Sequence, residues 1–245
     1  MDNLSYDELN NLEKSHWWFQ ARKKILTKLT EKYYKYQPEA KVLDIGCGTG
    51  AILEQLKGLG KVWGIEKDKL AVDYCRQKMP KANITQGIFP EEVPAEKFDL
   101  VTILDVLEHI ADDEKALQKA SEILKPAGVL IVTVPAYKFI WSSHDQVNQH
   151  YRRYTLIELK QKLKKTGLRI KKISYFNTIL FLPIVIGKVA KRIFGSSKPT
   201  SHLKDGLPPV FLNQILEMIF SLEKDLLPFF NLPFGISIIA IAKKQ

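Results

Sequence analysis

Residues 41–50 read KVLDIGCGTG: a basic start and four residues of strand character run into three glycines within five positions. This stretch constrains the fold more than any other. Glycines behind a strand let the backbone turn tightly and approach a ligand, and the N–H groups of a following helix face the same point. The chain beyond keeps the pattern. VLDI (42–45), VWGI (62–65), ANIT (82–85), FDLVTIL (98–104) and VLIVTV (129–134) are short apolar runs, separated by helix-like segments at 49–58, 68–78 and 112–124. Each connection is long enough for a right-handed crossover, so these five strands are expected to run parallel. VLIVTV has no polar alternation beyond one Thr, as suits a strand covered on both faces. A polar, aromatic-rich loop (135–151), a helix opening at Thr155, a strand RIKKISYF (169–176) and a last strand ISIIAIAK (236–243) follow. Upstream, residues 4–34 read as helix from the spacing of Leu9, Leu12, Ile25, Leu26 and Leu29, broken by HWWF at 16–19.

At 245 residues, the chain fits one domain with an insertion better than two independent domains. With 45% hydrophobic and 26% charged residues it can bury a full core, which excludes disordered and fibrous classes. Cys47 and Cys75 are the only cysteines, so there is no disulfide framework and no CxxC metal knuckle. The start, MDNLSYDELNNLEK, is acidic and polar, unlike a signal peptide. A cytoplasmic location is expected. The net charge of +10 is local: residues 151–200 hold 13 Lys/Arg against one acid, and the rest of the chain holds 24 basic and 26 acidic residues. Such a segment either faces an anionic partner or is a solvated face.

The loop also says which nucleoside to expect. The dinucleotide fingerprint needs G-x-G-x-x-G, whereas the third glycine here falls one residue early, at Gly50. Glu66 ends the second strand, where a carboxylate accepts both hydroxyls of a ribose. Asp44, just inside the loop, puts a negative charge where a pyrophosphate would sit, and so favours a cationic ligand with an amino group.

DIGCGTG, then GIEKD, then FDLVTILDVLEHI, then LKPAGVLIVTVP together resemble the class I S-adenosylmethionine-dependent methyltransferases, over roughly residues 40–176 and the final strand. The flanks HWWFQAR (16–22) and SSHDQVNQHYRRYTLIEL (142–159) look like a bacterial subgroup near the ubiquinone-biosynthesis O-methyltransferases. The resemblance implies an α/β, Rossmann-like fold whose seven-stranded sheet has its last strand antiparallel. It divides the chain into an N-terminal helical lid (1–37), a core (38–176 and 233–245) and a helical insertion (177–232). It also implies S-adenosylmethionine as cofactor. Asp44, Gly46, Gly48 and Gly50 would hold the methionine part, with Cys47 as a small loop-filling residue rather than a nucleophile. Glu66 would take the ribose, with Asp105 on the cofactor side and Lys67 and Asp68 beside the adenine. The chain departs from the family after the third strand, where QGIF replaces an acidic residue. Backbone groups of Gly87, Ile88 and Phe89 would have to serve the adenine. Trp17, Trp18 and Phe19 read either as a lid, with Arg22 reaching the cofactor carboxylate, or as packing against the sheet edge.

Acceptors in such sheets bind beyond the carboxyl ends of the strands. His109, His144 and His150 are the candidate bases there, with Asp145 to orient one of them. His109 reads equally as a cap or packing residue. Asp105, Glu108 and His109, at i, i+3 and i+4, form an alternative metal cluster. Trp141, Arg152, Arg153 and Tyr154 are the candidate acceptor contacts, the arginines binding a phosphate or carboxylate bidentately. One arginine is also expected to hold down the helix that Thr155 caps, with Glu158 completing a capping box.

In the insertion, ILFLPIVIG (179–187) is too short to span a bilayer. It leads into a helix with Lys188, Lys191 and Arg192 on one face and Ile186, Val189, Ala190 and Ile193 on the other, the pattern of a helix lying in a membrane interface. Phe211, Ile215, Ile219, Leu222 and Leu226 repeat an apolar stripe, and PFFNLPFG follows. A self-packed cap remains the alternative. The expected activity is methylation, of the O-methyl class, of an amphiphilic or lipid-linked small molecule at an anionic membrane surface. The alternatives are a soluble N- or O-methyltransferase of sugars or natural products, with the insertion as a lid, and a non-catalytic binder. A nucleic-acid partner is not expected: LDVL stands where a base-gripping motif would follow strand four, and the lysines alternate with aliphatics rather than stacking aromatics.

Overall fold

The computed structural model describes residues 6–37, 39–194 and 207–245, side chains at 189 and 191–194 excepted. In chain order it runs α1 (Tyr6–Ser15), α2 (Trp17–Tyr33), β1 (Lys41–Ile45), α3 (Ala51–Leu56), β2 (Lys61–Glu66), α4 (Lys69–Lys78), β3 (Asn83–Gln86), β4 (Phe98–Leu104), α5 (Asp113–Ile123) and β5 (Leu124–Pro135). Then come α6 (Ser143–Val147), α7 (Leu156–Lys165), β6 (Arg169–Phe176), α8 (Phe181–Phe194), α9 (Val210–Ser221), α10 (Glu223–Leu226) and β7 (Ser237–Lys243). The seven strands form one sheet in the order β3-β2-β1-β4-β5-β7-β6. β7 is antiparallel to both neighbours, and the pairs among β1 to β5 are parallel. This is the seven-stranded Rossmann-like sheet that the sequence led us to expect.

Strand side chains alternate between the two faces, and each face has its own core. Leu43, Val101, Ile103, Leu130 and Val132 pack with Leu117 of α5 and Leu159 and Leu163 of α7. On the other face Val42, Leu100, Val129, Ile131 and Ile239 pack with Ile25 and Leu29 of α2, Leu53 of α3 and Phe220 of α9. The reversal from β1 to β4 leaves a crevice at the carboxyl ends of these strands, where a ligand binds in such sheets.

Three details depart from the sequence reading. The N-terminal segment is two helices, divided where His16 caps α2 by accepting from the Trp18 N–H at 3.2 Å. β5 starts at Leu124, upstream of the apolar run, because Leu124 already pairs with Phe98 across a bulge. The loop after β5 contains α6, opened by a Ser142/Asp145 capping box.

The insertion is tied to the sheet by one buried carboxylate. Glu223 accepts from the N–H groups of Asn177, Thr178 and Ile179 at 2.7, 2.6 and 3.0 Å. Phe220 stacks on Phe176, centroids 6.1 Å apart. Lys188, expected on an outward basic face, instead reaches inward to Ile140 O and Ser142 Oγ at 3.4 and 3.3 Å. Burial and the nearby Arg153 lower its pKa to about 8. The side chains of Lys191 and Arg192 lie outside those described. Among the described residues no helix is long and apolar enough to cross a membrane.

Candidate active site

The glycine loop after β1 is built around φ values of +74°, +50° and +81° at Gly46, Gly48 and Gly50. The Gly46 and Cys47 N–H groups donate to Ile65 O at 2.8 and 3.2 Å, which fixes the loop against β2. A side chain at Gly46 would strike Val106, whereas the space above Gly48 is open. Glu66 bridges the loop and the next turn. Its Oε2 accepts from Gly48 N and its Oε1 from Asp68 N, both at 3.1 Å. Each oxygen keeps a lone pair for a ribose hydroxyl. Asp68 itself is the N-cap of α4, its side chain accepting from the Leu70 and Ala71 N–H groups.

Asp44 sits at the carboxyl end of β1, buried and paired with Thr102 of β4, whose Oγ1 donates to Asp44 Oδ1 at 2.6 Å. Burial pushes its carboxyl up to about 7, against the Thr102 hydrogen bond and the positive charge of Arg22. Arg22 reaches the same place from α2. Its Nη2 lies 2.5 Å from Asp105 Oδ2 and donates to Thr133 Oγ1 at 3.2 Å, while its buried Nε has no partner among the described residues. Trp18 lies under the guanidinium, 5.0 Å from ring centroid to Cζ.

Two connected hollows share Gly46, Gly48 and Asp105. The larger, about 580 Å³, is lined by Glu66, Lys67, Ile88, Phe89, Val106 and His109 among others. The smaller, about 180 Å³, is lined by Glu13, Trp18, Phe19, Arg22, Asp44 and Cys47 among others. Trp17 is not part of either lining. It packs edge-on against Phe220 at 6.0 Å, its backbone N–H on Asn213 Oδ1 at 3.0 Å, whereas Trp18 and Phe19 line the smaller hollow. Of the backbone groups expected to serve the adenine, Gly87 N is spent on Glu66 O (3.0 Å) and Ile88 N on Glu92 Oε2 (2.8 Å), and the side chains of Ile88, Phe89 and Val106 line the larger hollow. Glu13 carries no sequence signal beyond being one acid in a polar stretch, and sequence reasoning passed over it.

The features fit S-adenosylmethionine. The orphaned Arg22 Nε suits its carboxylate, and the open space above Gly48 admits its chain. The carboxylates of Glu13, Asp44 and Asp105 around one guanidinium suit a ligand of net positive charge.

At the acceptor end the three histidines do converge. His109 and His150 meet edge-on with centroids 4.6 Å apart, and His144 lies 6.1 Å from His150. Only His109 lines the cleft. It is hydrogen-bonded to the Asn148 backbone. Burial, then the charges of His150 and Lys67, lower its pKa to about 4, so it is neutral near pH 7. Asp145 orients His150, from Oδ1 to Nδ1 at 3.0 Å, rather than the adjacent His144, which contacts Asn148.

The expected acceptor contacts are turned elsewhere. Arg153 donates to Asp145 (2.7 and 3.0 Å) and to Ala136 O (3.1 Å), all buried, so its fork is closed to a substrate anion. Arg152 donates to Ala111 O (2.6 Å) and pairs with Asp113 at 3.0 Å, on α5 rather than on the helix that Thr155 caps. Tyr154 is buried with its hydroxyl on Asp113, 2.8 Å away, as a core residue. Trp141 is half-buried and lines neither hollow. Thr155 and Glu158 do form the capping box. The alternative metal cluster changes membership: Asp105 belongs to Arg22, and the donor atoms of Glu108, His109 and His150 lie within 4.8 Å of one another. Burial and the charge of Asp105 hold Glu108 well above the usual carboxylate range. Three cations of the basic segment, Arg152, Lys162 and Lys165, pair with Asp113 and Glu114.

Comparison with known proteins agrees with this geometry. A family model described as a methyltransferase domain matches residues 17–173. The chain is 30% identical over 166 residues to a ubiquinone biosynthesis O-methyltransferase of Actinobacillus pleuropneumoniae, covering 57% of this chain and 71% of that protein. A Rhodopseudomonas palustris protein of the same name matches at 31%, over 38% of each chain. Among solved structures, a TehB-like SAM-dependent methyltransferase from Corynebacterium glutamicum superposes with a TM-score of 0.59 at 19% identity, over 98% of this chain and 95% of that one. Phosphoethanolamine N-methyltransferase 2 of Haemonchus contortus, solved with S-adenosyl-L-methionine, superposes at 0.58 and 19% identity, over 90% and 52%. At such identity the likeness is one of fold. Loop, ribose carboxylate, strand order and family match agree: this chain belongs to the S-adenosylmethionine-dependent methyltransferases of class I.

Proposed function

We propose that the enzyme methylates a hydroxyl group of an amphiphilic, lipid-linked acceptor at the face of an anionic membrane. The observation that carries the membrane part is the outer face of the insertion. Phe229 and Phe230 are 76% and 63% exposed, on a loop whose carbonyls are gripped by two lysines. Lys32 donates to Pro228 O and lies over the Phe229 ring at 4.9 Å, and Lys172 donates to Phe230 O at 2.6 Å. Phe211, Met218 and Leu222 of the preceding helical segment, and Leu182 and Ile186 of α8, are exposed as well. Apolar side chains in such number on one segment mark an interaction surface. Each Phe entering an interface contributes roughly 1.5–3 kcal/mol. The O-methyl class is supported by the relatives named ubiquinone biosynthesis O-methyltransferase.

S-adenosylmethionine supplies the methyl group when bound. The chain contributes position, exclusion of water and removal of the hydroxyl proton. His109 is the base in this reading: it is neutral, it lines the cleft, and its hydrogen bond to the Asn148 backbone leaves the other ring nitrogen as an acceptor. His150, held by Asp145, supports its ring.

The test is co-sedimentation with phosphatidylglycerol vesicles, followed by transfer of a labelled methyl group to a hydroxylated aromatic bearing a prenyl tail. Binding that is lost in Phe229→Ser/Phe230→Ser, with cofactor affinity unchanged, supports the proposal. A wild-type protein that stays in the supernatant at low salt makes the acceptor a soluble molecule. The Glu108, His109 and His150 grouping favours a second reading, in which the three ligate a divalent cation that orients the acceptor. Turnover abolished by chelation and restored by a divalent metal selects it.

A further inference from the structure

α1 stands apart from the core. Only Asn10 among its ten residues is buried, and beside a Tyr6–Tyr74 ring contact at 6.1 Å polar contacts tie it to the rest of the chain. Asn10 Oδ1 accepts from Lys78 Nζ at 2.8 Å, Glu13 Oε2 accepts from Thr49 Oγ1, and Tyr6 is hydrogen-bonded to Asp68. Those partners sit on α4, in the glycine loop and in the turn behind Glu66. Thr49 belongs to the glycine loop and Asp68 follows Glu66 by two residues, so the helix is anchored beside the site at both of its ends.

Glu13 is the member of α1 that reaches inside. It lines the smaller hollow with Asp44, Asp105 and Arg22, and no step proposed above uses it. The amino-acid end of S-adenosylmethionine brings one carboxylate and one ammonium. Arg22, with its orphaned Nε, matches the carboxylate. Asp105 is already paired with Arg22, so Asp44 and Glu13 are the carboxylates left for the ammonium. Burial raises the carboxyl pKa of both, so each gains from an arriving cation.

Resting on the cofactor assignment above, we propose that Glu13 is a ligand of the cofactor's α-ammonium group, and that α1 is a lid which the amino-acid end of the cofactor holds shut. The test compares two ligands in the full chain by calorimetry. S-adenosylhomocysteine carries the amino-acid end, and 5′-methylthioadenosine lacks it. Glu13→Gln keeps the shape and an acceptor for Thr49. We expect it to weaken S-adenosylhomocysteine binding about tenfold or more while leaving methylthioadenosine within about twofold, since a hydrogen bond to a charged group is the one removed. Equal loss for both ligands would mean a packing role, and no loss for either would mean no contact. Each overturns the proposal. A second readout uses the wild type alone. Tryptic cleavage at exposed Lys14 should be slowed by S-adenosylhomocysteine and not by methylthioadenosine. Slowing by both, or by neither, counts against the lid. A wild type that binds neither ligand would reject the cofactor itself, a different failure.

Discussion

Arg153 and Asp145 form a buried two-point ion pair, Nε to Oδ1 at 2.7 Å and Nη2 to Oδ2 at 3.0 Å. Burial alone would raise the Asp145 carboxyl, but hydrogen bonds from His150 and Arg153 hold it well below the usual carboxylate range. Arg153→Ala would strand that charge, at a cost of about 3–5 kcal/mol of stability. A depressed folded-state pKa stabilises above the unfolded value and is lost as pH falls through the folded one. In the variant the restraint is gone, so Asp145 protonates more readily. The gap between wild type and variant should therefore narrow from pH 7 to pH 4 in denaturant titrations. A constant gap would place the loss elsewhere.

Asp44 works in the opposite direction. Its folded-state pKa, about 7, is raised by burial, so the folded chain binds the extra proton between the unfolded value near 4 and 7. Stability then falls as pH rises through that window and is flat above it. Asp44→Asn has no such loss. Its melting temperature should exceed that of the wild type at pH 7.5, by roughly 2–4 °C per kcal/mol, and the difference should shrink toward pH 4. Cofactor affinity should fall at the same time, which calorimetry reads separately.

Gly46→Ala meets two obstacles, a Cβ 2.4 Å from Val106 Cγ2 and a φ of +74°. The expected cost is roughly 1–3 kcal/mol of stability with weakened cofactor binding. Adding Val106→Ala removes the clash and leaves the backbone strain, so it should restore stability only in part. Full rescue would show that φ contributes nothing.

For His109 the pH profile is the sharper test. With a pKa of about 4 it is already the free base at pH 5, so with the cofactor saturating, and Asp44 thereby covered, kcat/KM for the acceptor should stay nearly flat from pH 7 to 5 rather than drop at 6.5. His109→Gln should lower turnover by ~10²-fold with cofactor affinity intact. A normal acid limb near 6.5 would move the base to another group.

The sheet was legible because its signal is local. An uninterrupted run such as VLIVTV suits only a strand covered on both faces, and Glu66 is placed by its distance from Gly46 along a predictable strand. Side-chain direction outside the sheet was not legible. Arg153 and Tyr154 look like ligand-binding groups in a polar loop, but a buried partner on α6 or α5 absorbs each. Lys188 reads as part of an outward basic face, yet its own Nζ reaches Ser142. Trp17 and Trp18 both lie in α2, about 100° apart around its axis, so one meets Phe220 and the other Arg22. Such outcomes depend on partners far along the chain, which periodicity does not record.

Glu223 grips three consecutive N–H groups at 177–179, and an N–H is something every residue except proline offers. The grip itself therefore does not read the side chains at 178 and 179, whereas position 223 cannot change, and Asn177, at a φ of +58°, is limited to residues that tolerate the left-handed region. A carboxylate one methylene shorter falls short of all three donors, and an amide brings no charge to them. The outer surface of the insertion is thus hung from a fixed point that does not read it. Its phenylalanines and leucines are free to be exchanged for other acceptor or surface preferences while the catalytic sheet keeps its geometry.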